Sequence, residues 1–248
     1  MPCAFIAHGS PQLAQDKGPW SAALQHWAEG LRPKAILVIS AHWRTPLPTF
    51  TGGRNPGILH DFIGFPPALY ETAYPAPGEP DLVLQAMDLL GDAAITTQVE
   101  PQRPLDHGVW IPLSHMFPSA RTPVVQLSLP IGVSPEGLFR MGLALAPLRD
   151  DGVLILGSGG LVHNLQRLRE PASPPEGWAQ AFDDWMGRHL LDGNSHGATS
   201  YRAMAPYADL AAPTSEHLDP LFVSWGAADG TPADPLFEGW EQGNLWLR

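Results

Sequence analysis

A single cysteine, Cys3, stands among 248 residues, so no disulfide can form within the chain. That usage fits a reducing compartment, and a cytoplasmic protein is expected. Basic residues are scarce: 14 Lys and Arg against 25 Asp and Glu leave a net charge of -11. Such a balance lacks the cationic surface that a phosphate backbone requires, so no nucleic-acid partner is expected. Long apolar runs are missing too. None approaches the ~18 residues of a membrane-spanning helix. The first residues show no basic stretch followed by an apolar core, so neither export nor membrane insertion is expected.

What is present describes an ordinary globule of 44% hydrophobic residues, long enough for one large domain. No internal repeat, low-complexity stretch or linker divides it, and residues 1–248 are read as a single domain. Strand-like and helix-like segments alternate. Ala4–Ala7, Ala35–Ser40, Ala94–Val99, Pro123–Leu129 and Gly152–Gly157 read as strands. Trp20–Leu31, Pro80–Leu90, a helix from a Ser134 cap to about Arg149, residues 176–191 and Glu216–Ala227 read as helices. This alternation predicts an α/β fold: one three-layer α/β/α domain around a central, mostly parallel sheet. Residues 44–80, dense in Pro and Gly, predict a long ordered loop over a site.

Ten histidines are present, and five lie in short Gly- or Pro-punctuated motifs. They are His8 in Ala-His-Gly-Ser-Pro, His42 in Ser-Ala-His-Trp, His107 in Asp-His-Gly-Val-Trp, His163 in Gly-Gly-Leu-Val-His-Asn, and His217 in Thr-Ser-Glu-His. Neutral imidazole is the commonest protein metal ligand and moves protons near neutral pH. A lone histidine beside a strand is usually a packing residue. Here His8, His42 and His163 each follow an apolar strand directly or by one turn, and ligands of open α/β sheets bind beyond the carboxyl ends of strands. His217 is placed in the first turn of a helix, with Thr214 or Ser215 as cap. Shared context favours a metal site. His26, His115, His189 and His196 sit in helical or polar surroundings and are read as structural. His60, in His-Asp-Phe-Ile-Gly-Phe-Pro, is placed with Phe62, Phe65 and Tyr70 in an aromatic lid over a substrate.

Together these motifs resemble the class III extradiol dioxygenases of the LigB superfamily, most closely the branch typified by DOPA 4,5-dioxygenase. The matching segments are Ala7–Pro11, Val38–Trp43, His60–Phe62, Tyr74–Gly78, Asp106–Gly108 with Trp110, Pro123–Ser128, Ser158–Leu165 and Glu216–His217. They run in the family's order along nearly the whole chain. Residues 102–105, Ile63 and Leu218 depart from the pattern at positions expected to line the ring pocket.

The resemblance implies a mononuclear non-haem metal centre, Fe(II) when active and often zinc as isolated, that opens a catechol ring beside its diol with O₂. Iron(II) suits imidazole ligands with open coordination positions. The catechol must lose protons on binding and protons must return during ring opening, which calls for nearby imidazoles. Carried over, His8, His42 and His217 are metal ligands, His217 standing where other class III enzymes place a glutamate. His163 is either a fourth ligand or the acid–base group. His107 hydrogen-bonds substrate or oxygen, and Ser10, His60 and Phe62 contact the substrate. A small catechol and O₂ are the expected partners, and the protein a monomer or small homo-oligomer. A zinc hydrolase using the same site and a metal-free binding protein are the rival readings.

Overall fold

The computed structural model describes residues 1–170 and 173–246. Six strands form one sheet: β1 (Cys3–Ala7), β2 (Ala35–Thr45), β3 (Thr49–Thr51), β4 (Gln98–Glu100), β5 (Val124–Pro130) and β6 (Val153–Gly159), in the order β1-β6-β2-β5-β3-β4. The β1–β6, β6–β2, β2–β5 and β3–β4 pairs are parallel, and β3–β5 is antiparallel. The sheet is therefore mixed but mostly parallel, as the alternating pattern predicts.

The central strands are apolar on both faces because both faces are covered. Leu37, Ile39, Val125, Leu127 and Ile155 point into one core. There they meet α3 (Pro80–Asp92), α5 (Pro135–Leu145), α6 (Gly177–Leu191) and α10 (Asp219–Ala227). Their neighbours Ile36, Val38, Val124, Leu154 and Leu156 point into the other, against α1 (Pro19–Ala28) and α4 (His107–Met116). Period-two alternation thus sorts one set of strands into two cores and gives three layers. The short helices α2 (Pro67–Tyr70), α7 (Ser195–Thr199), α8 (Tyr201–Met204) and α9 (Ala208–Ala211) fill connections. A small antiparallel hairpin, β7 (Trp240–Glu241) and β8 (Leu245–Trp246), closes the described chain. Among the described residues no helix is long and apolar enough to cross a membrane.

Several boundaries differ from the sequence reading. Only the end of the segment 94–99 is a strand: Ala94 adopts φ 59° in a turn, and β4 pairing begins at Gln98. The helix expected to reach Arg149 ends at Leu145 and continues as a 3-10 turn, Ala146–Arg149, because Pro147 supplies no N–H for an α-helical bond. Helix α10 begins at Asp219, with Pro220 in its first turn, so His217 lies in the turn before it. Ser215 does not cap through its hydroxyl, which donates to Asp219 Oδ2; its carbonyl accepts from the N–H groups of Leu218 and Asp219. Residues 44–80 are less irregular than expected, for β2 runs on to Thr45 and the segment also holds β3 and α2.

Candidate metal centre

Four chain segments deliver imidazoles to one point at the carboxyl end of the sheet. His8 follows the last residue of β1. His42 lies near the end of β2, where the register against β5 shifts between Ile39 and Arg44 and turns the strand out of the ladder. His107 opens α4, and His217 comes from the turn before α10. Ring centroids are 4.9 Å apart for His8 and His42, 5.4 Å for His8 and His217, and 5.0 Å for His42 and His217. The ligand atoms of these three lie within 4.8 Å of one another.

Two of the three rings have one nitrogen held by a hydrogen bond, which leaves the other free, and the third has a carboxylate near one nitrogen. Ser158 Oγ donates to the Gly108 carbonyl, so it accepts from His8 Nδ1–H at 2.9 Å, and His8 keeps a lone pair on Nε2. His217 Nδ1–H donates to Glu216 Oε1 at 3.2 Å, while its buried Nε2 has no partner. His42 Nδ1 stands 3.8 Å from Asp61 Oδ2, and its Nε2 faces His8 Nε2 at 3.0 Å. Fixing one imidazole nitrogen by a carboxylate or hydroxyl so that the other can bind a cation is the usual outer support of a histidine metal site. An orphaned buried nitrogen and two imidazole nitrogens at contact both fit a cation between them.

Charge works in the same direction. Burial first, and then the other imidazoles, hold His8 well below the usual histidine range and push His42 down to about 2. Burial and then His217 push His163 down to about 3. Burial lowers His217 too, against the opposing effect of the hydrogen bond it donates to Glu216. Neutral imidazoles are the form that a metal requires.

Tight packing holds the cluster. A Cβ on Gly108 would lie 2.6 Å from Ser40 Oγ and 3.2 Å from both His42 Cδ2 and His8 Nδ1, so only glycine lets α4 approach. A Cβ on Gly159 would meet the His217 carbonyl at 1.9 Å. Beneath α4 the buried Asp106 carboxylate accepts from Ser40 Oγ at 2.7 Å and from Gln126 Nε2.

The rings open into a cavity of about 380 Å³, within the range of small-molecule sites. His8, His42, His107, His163 and His217 line it, with Ser10, Phe62 and Phe65 from the predicted set. His60 does not line it: its ring sits behind Phe62, 5.7 Å from the Phe62 and Trp110 rings, with Nε2 buried and unpartnered. Tyr70 likewise stays outside, its hydroxyl donating to the Phe62 carbonyl. The lid therefore rests on Phe62 and Phe65. Ile63 is 91% exposed and Leu218 is buried in the core, so neither lines the ring pocket as expected. His163 stacks on His217, with centroids 3.4 Å apart and planes 8° from parallel, and its ligand atom groups with Glu216 and His217 rather than with His8 and His42.

Three contributors escaped the sequence reading. Asp61 accepts from both the backbone N–H and Nδ1–H of His107, at 3.0 and 2.9 Å. Burial alone would raise its pKa, but its hydrogen bonds with His107 hold it at about 2. Glu216 is held at about 2, chiefly by its bond to His217. The β7–β8 hairpin supplies Gln242 and Leu245 to the cavity wall. It is tied down by Glu241, which accepts from Ser10 Oγ at 2.7 Å and Ser10 N at 3.0 Å. A carboxylate immediately beside a candidate ligand, as in His60-Asp61 and Glu216-His217, was the available signal for the two acids.

Comparison with known proteins gives the class to which this site belongs. Residues 2–242 match the family described as the catalytic LigB subunit of aromatic ring-opening dioxygenase. The chain belongs to that family and is an extradiol ring-cleavage dioxygenase. Within it the chain falls in the DOPA dioxygenase-like branch. It is 40% identical over 245 residues to a 4,5-DOPA dioxygenase extradiol of Beta vulgaris, covering 96% of this chain and 91% of that one. It is 38% identical over 253 residues to the protein of the same name in Escherichia coli K12, covering 99% and 92%. A crystal structure of an uncharacterized Escherichia coli K12 protein superposes with a TM-score of 0.84 at 32% identity, over 100% of this chain and 97% of that one.

Proposed function

We propose that the whole chain acts as one catalytic domain that opens the ring of a small catechol, DOPA-like or other, beside its two hydroxyls. The reaction takes place at an iron(II) ion held by His8, His42 and His217, a seat that zinc also fits, in a cytoplasmic enzyme. The observation that carries this reading is the convergence of the three rings, with His8 and His217 held at Nδ1 by hydrogen bonds and His42 Nδ1 turned towards Asp61 at 3.8 Å. When bound, iron(II) supplies chelation of the catechol oxygens and an adjacent position for O₂.

The side chains supply the rest. Asp61 fixes the proton of His107 on Nδ1, so His107 Nε2 is an acceptor at the cavity. There it takes a hydrogen bond from a catechol hydroxyl and can accept its proton. His163, off the three-ring group but on the cavity wall, serves as the second proton carrier. Phe62 and Phe65 lie against the flat ring and keep water away, and Ser10 closes the wall with its bond to Glu241. His60 acts through Phe62 by packing behind it.

The test is isotopic. Protein loaded with iron(II) anaerobically, then given a catechol and ¹⁸O₂, should place both oxygen atoms in the ring-opened product. Turnover of catechol without O₂ consumption, or ester or amide hydrolysis by the zinc form, would overturn this reading.

A further inference from the structure

Behind the cavity wall, among the described residues, stands an acid whose charge is met only by neutral donors. Glu241, half-buried in β7, accepts from Ser10 N at 3.0 Å with one oxygen and from Ser10 Oγ at 2.7 Å with the other. A carboxylate has room for about four hydrogen bonds, so half of its accepting capacity is left. Among the described residues no Lys or Arg pairs with it; the arginine ion pairs lie at Arg103–Asp106, Arg140–Glu136 and Arg202–Asp209. Asp61 and Glu216, by contrast, are taken up by His107 and His217.

The Ser10–Glu241 bond fixes what the cavity presents to a ligand. The Ser10 hydroxyl has one proton, and giving it to Glu241 leaves only lone pairs towards the cavity that Ser10 lines. A hydroxyl backed by a carboxylate accepts well and cannot donate. It suits an N–H group, above all a cationic one, and it repels a substrate carboxylate. Ser10 lies two residues beyond His8, so their Cα atoms are at most about 7 Å apart, the scale of a ring with a two-carbon chain. The hairpin that carries Glu241 is fixed in place by the buried Asn244, whose amide donates to the Arg167 carbonyl and to Glu176. Arg167 and Arg169, on either side of Leu168 at the mouth, are exposed, and water weakens their hold on an acid.

Resting on the catechol reading above, we propose that Ser10 and Glu241 form the subsite that selects the ring substituent, favouring a short chain that carries an ammonium, as in an amine or an amino acid. Ser10 Oγ accepts from the ammonium. Glu241 is a positioning residue that acts through Ser10, orienting its hydroxyl and supplying the opposite charge.

The test uses catechols of one shape that differ at the chain end: dopamine with an ammonium, 4-propylcatechol with a methyl group, and 3-(3,4-dihydroxyphenyl)propionate with a carboxylate. On the iron(II)-loaded enzyme kcat/KM should fall in that order, dopamine leading 4-propylcatechol by about tenfold, chiefly through KM. Calorimetric titration of the zinc-loaded protein should give the same order without turnover. Glu241→Gln and Ser10→Ala should each remove most of the dopamine lead, a change in discrimination that a merely structural anchor would not produce. An order led by 4-propylcatechol or the acid, or a dopamine lead that survives Glu241→Gln, would overturn this inference alone. Absence of ring opening and of binding for all three would overturn it together with the catechol reading.

Discussion

Asp61 holds His107 at two points, accepting from its backbone N–H and its ring Nδ1–H, while its other oxygen stands 3.8 Å from His42. One carboxylate therefore sets the tautomer of a proton-transfer residue and stands beside a metal ligand. Asp61→Asn removes the charge and half of the accepting capacity. Ring opening should fall about 10- to 100-fold with metal content kept at saturating iron. Unchanged turnover, measured with metal content on the same sample, would remove Asp61 from the mechanism.

His217 and His107 should part company on substitution. His217→Ala takes away a ligand and should lose metal and turnover together. His107→Ala should retain metal and lose about 10²- to 10⁴-fold in turnover. His163→Ala, with its ring outside the three-ring group, should behave like His107→Ala. Complete metal loss would instead make His163 an obligatory ligand.

Glu216→Gln weakens the hold on His217 Nδ1 without disturbing a core residue. Metal affinity should drop about 10- to 100-fold, read by competition with a chelator. An unchanged affinity would show that the turn alone positions His217.

Gly108→Ala places a methyl group against Ser40, His42 and His8. The cost should be about 1–3 kcal/mol of stability, with weaker metal binding, measured by denaturant unfolding and metal content.

The metal-free protein should lose stability in mild acid. His42 and His163 have folded-state pKa values near 2 and 3 against an unfolded value of about 6.5. Between these limits the unfolded chain binds the extra protons, so stability is full above pH 6.5 and declines as pH falls. Asp219, raised to about 6 by burial against Ser215, opposes this between about pH 4 and 6, but it is one group against several. Thermal unfolding at pH 7.5, 6 and 5 should show a falling Tm. A flat or rising Tm would contradict buried neutral imidazoles.

Much of this site was legible in the sequence because strand ends carry it. His8, His42 and His163 follow apolar runs that form the parallel strands β1, β2 and β6, and the two-sided apolarity of β2, β5 and β6 declared a covered parallel sheet. What escaped depended on long-range contacts. Asp61 meets His107 across 46 residues and Glu241 meets Ser10 across 231, which no local pattern encodes. The short exposed strand β4 has no burial pattern to reveal it. His60 looked like a pocket residue because its neighbours are, yet the chain turns its ring onto Trp110.

The most direct test is an anomalous difference map from crystals of the zinc-loaded protein. A single peak about 2.0–2.1 Å from Nε2 of His8, His42 and His217 is expected. A peak on other residues, or none at full zinc loading, would contradict the metal centre on which the account rests.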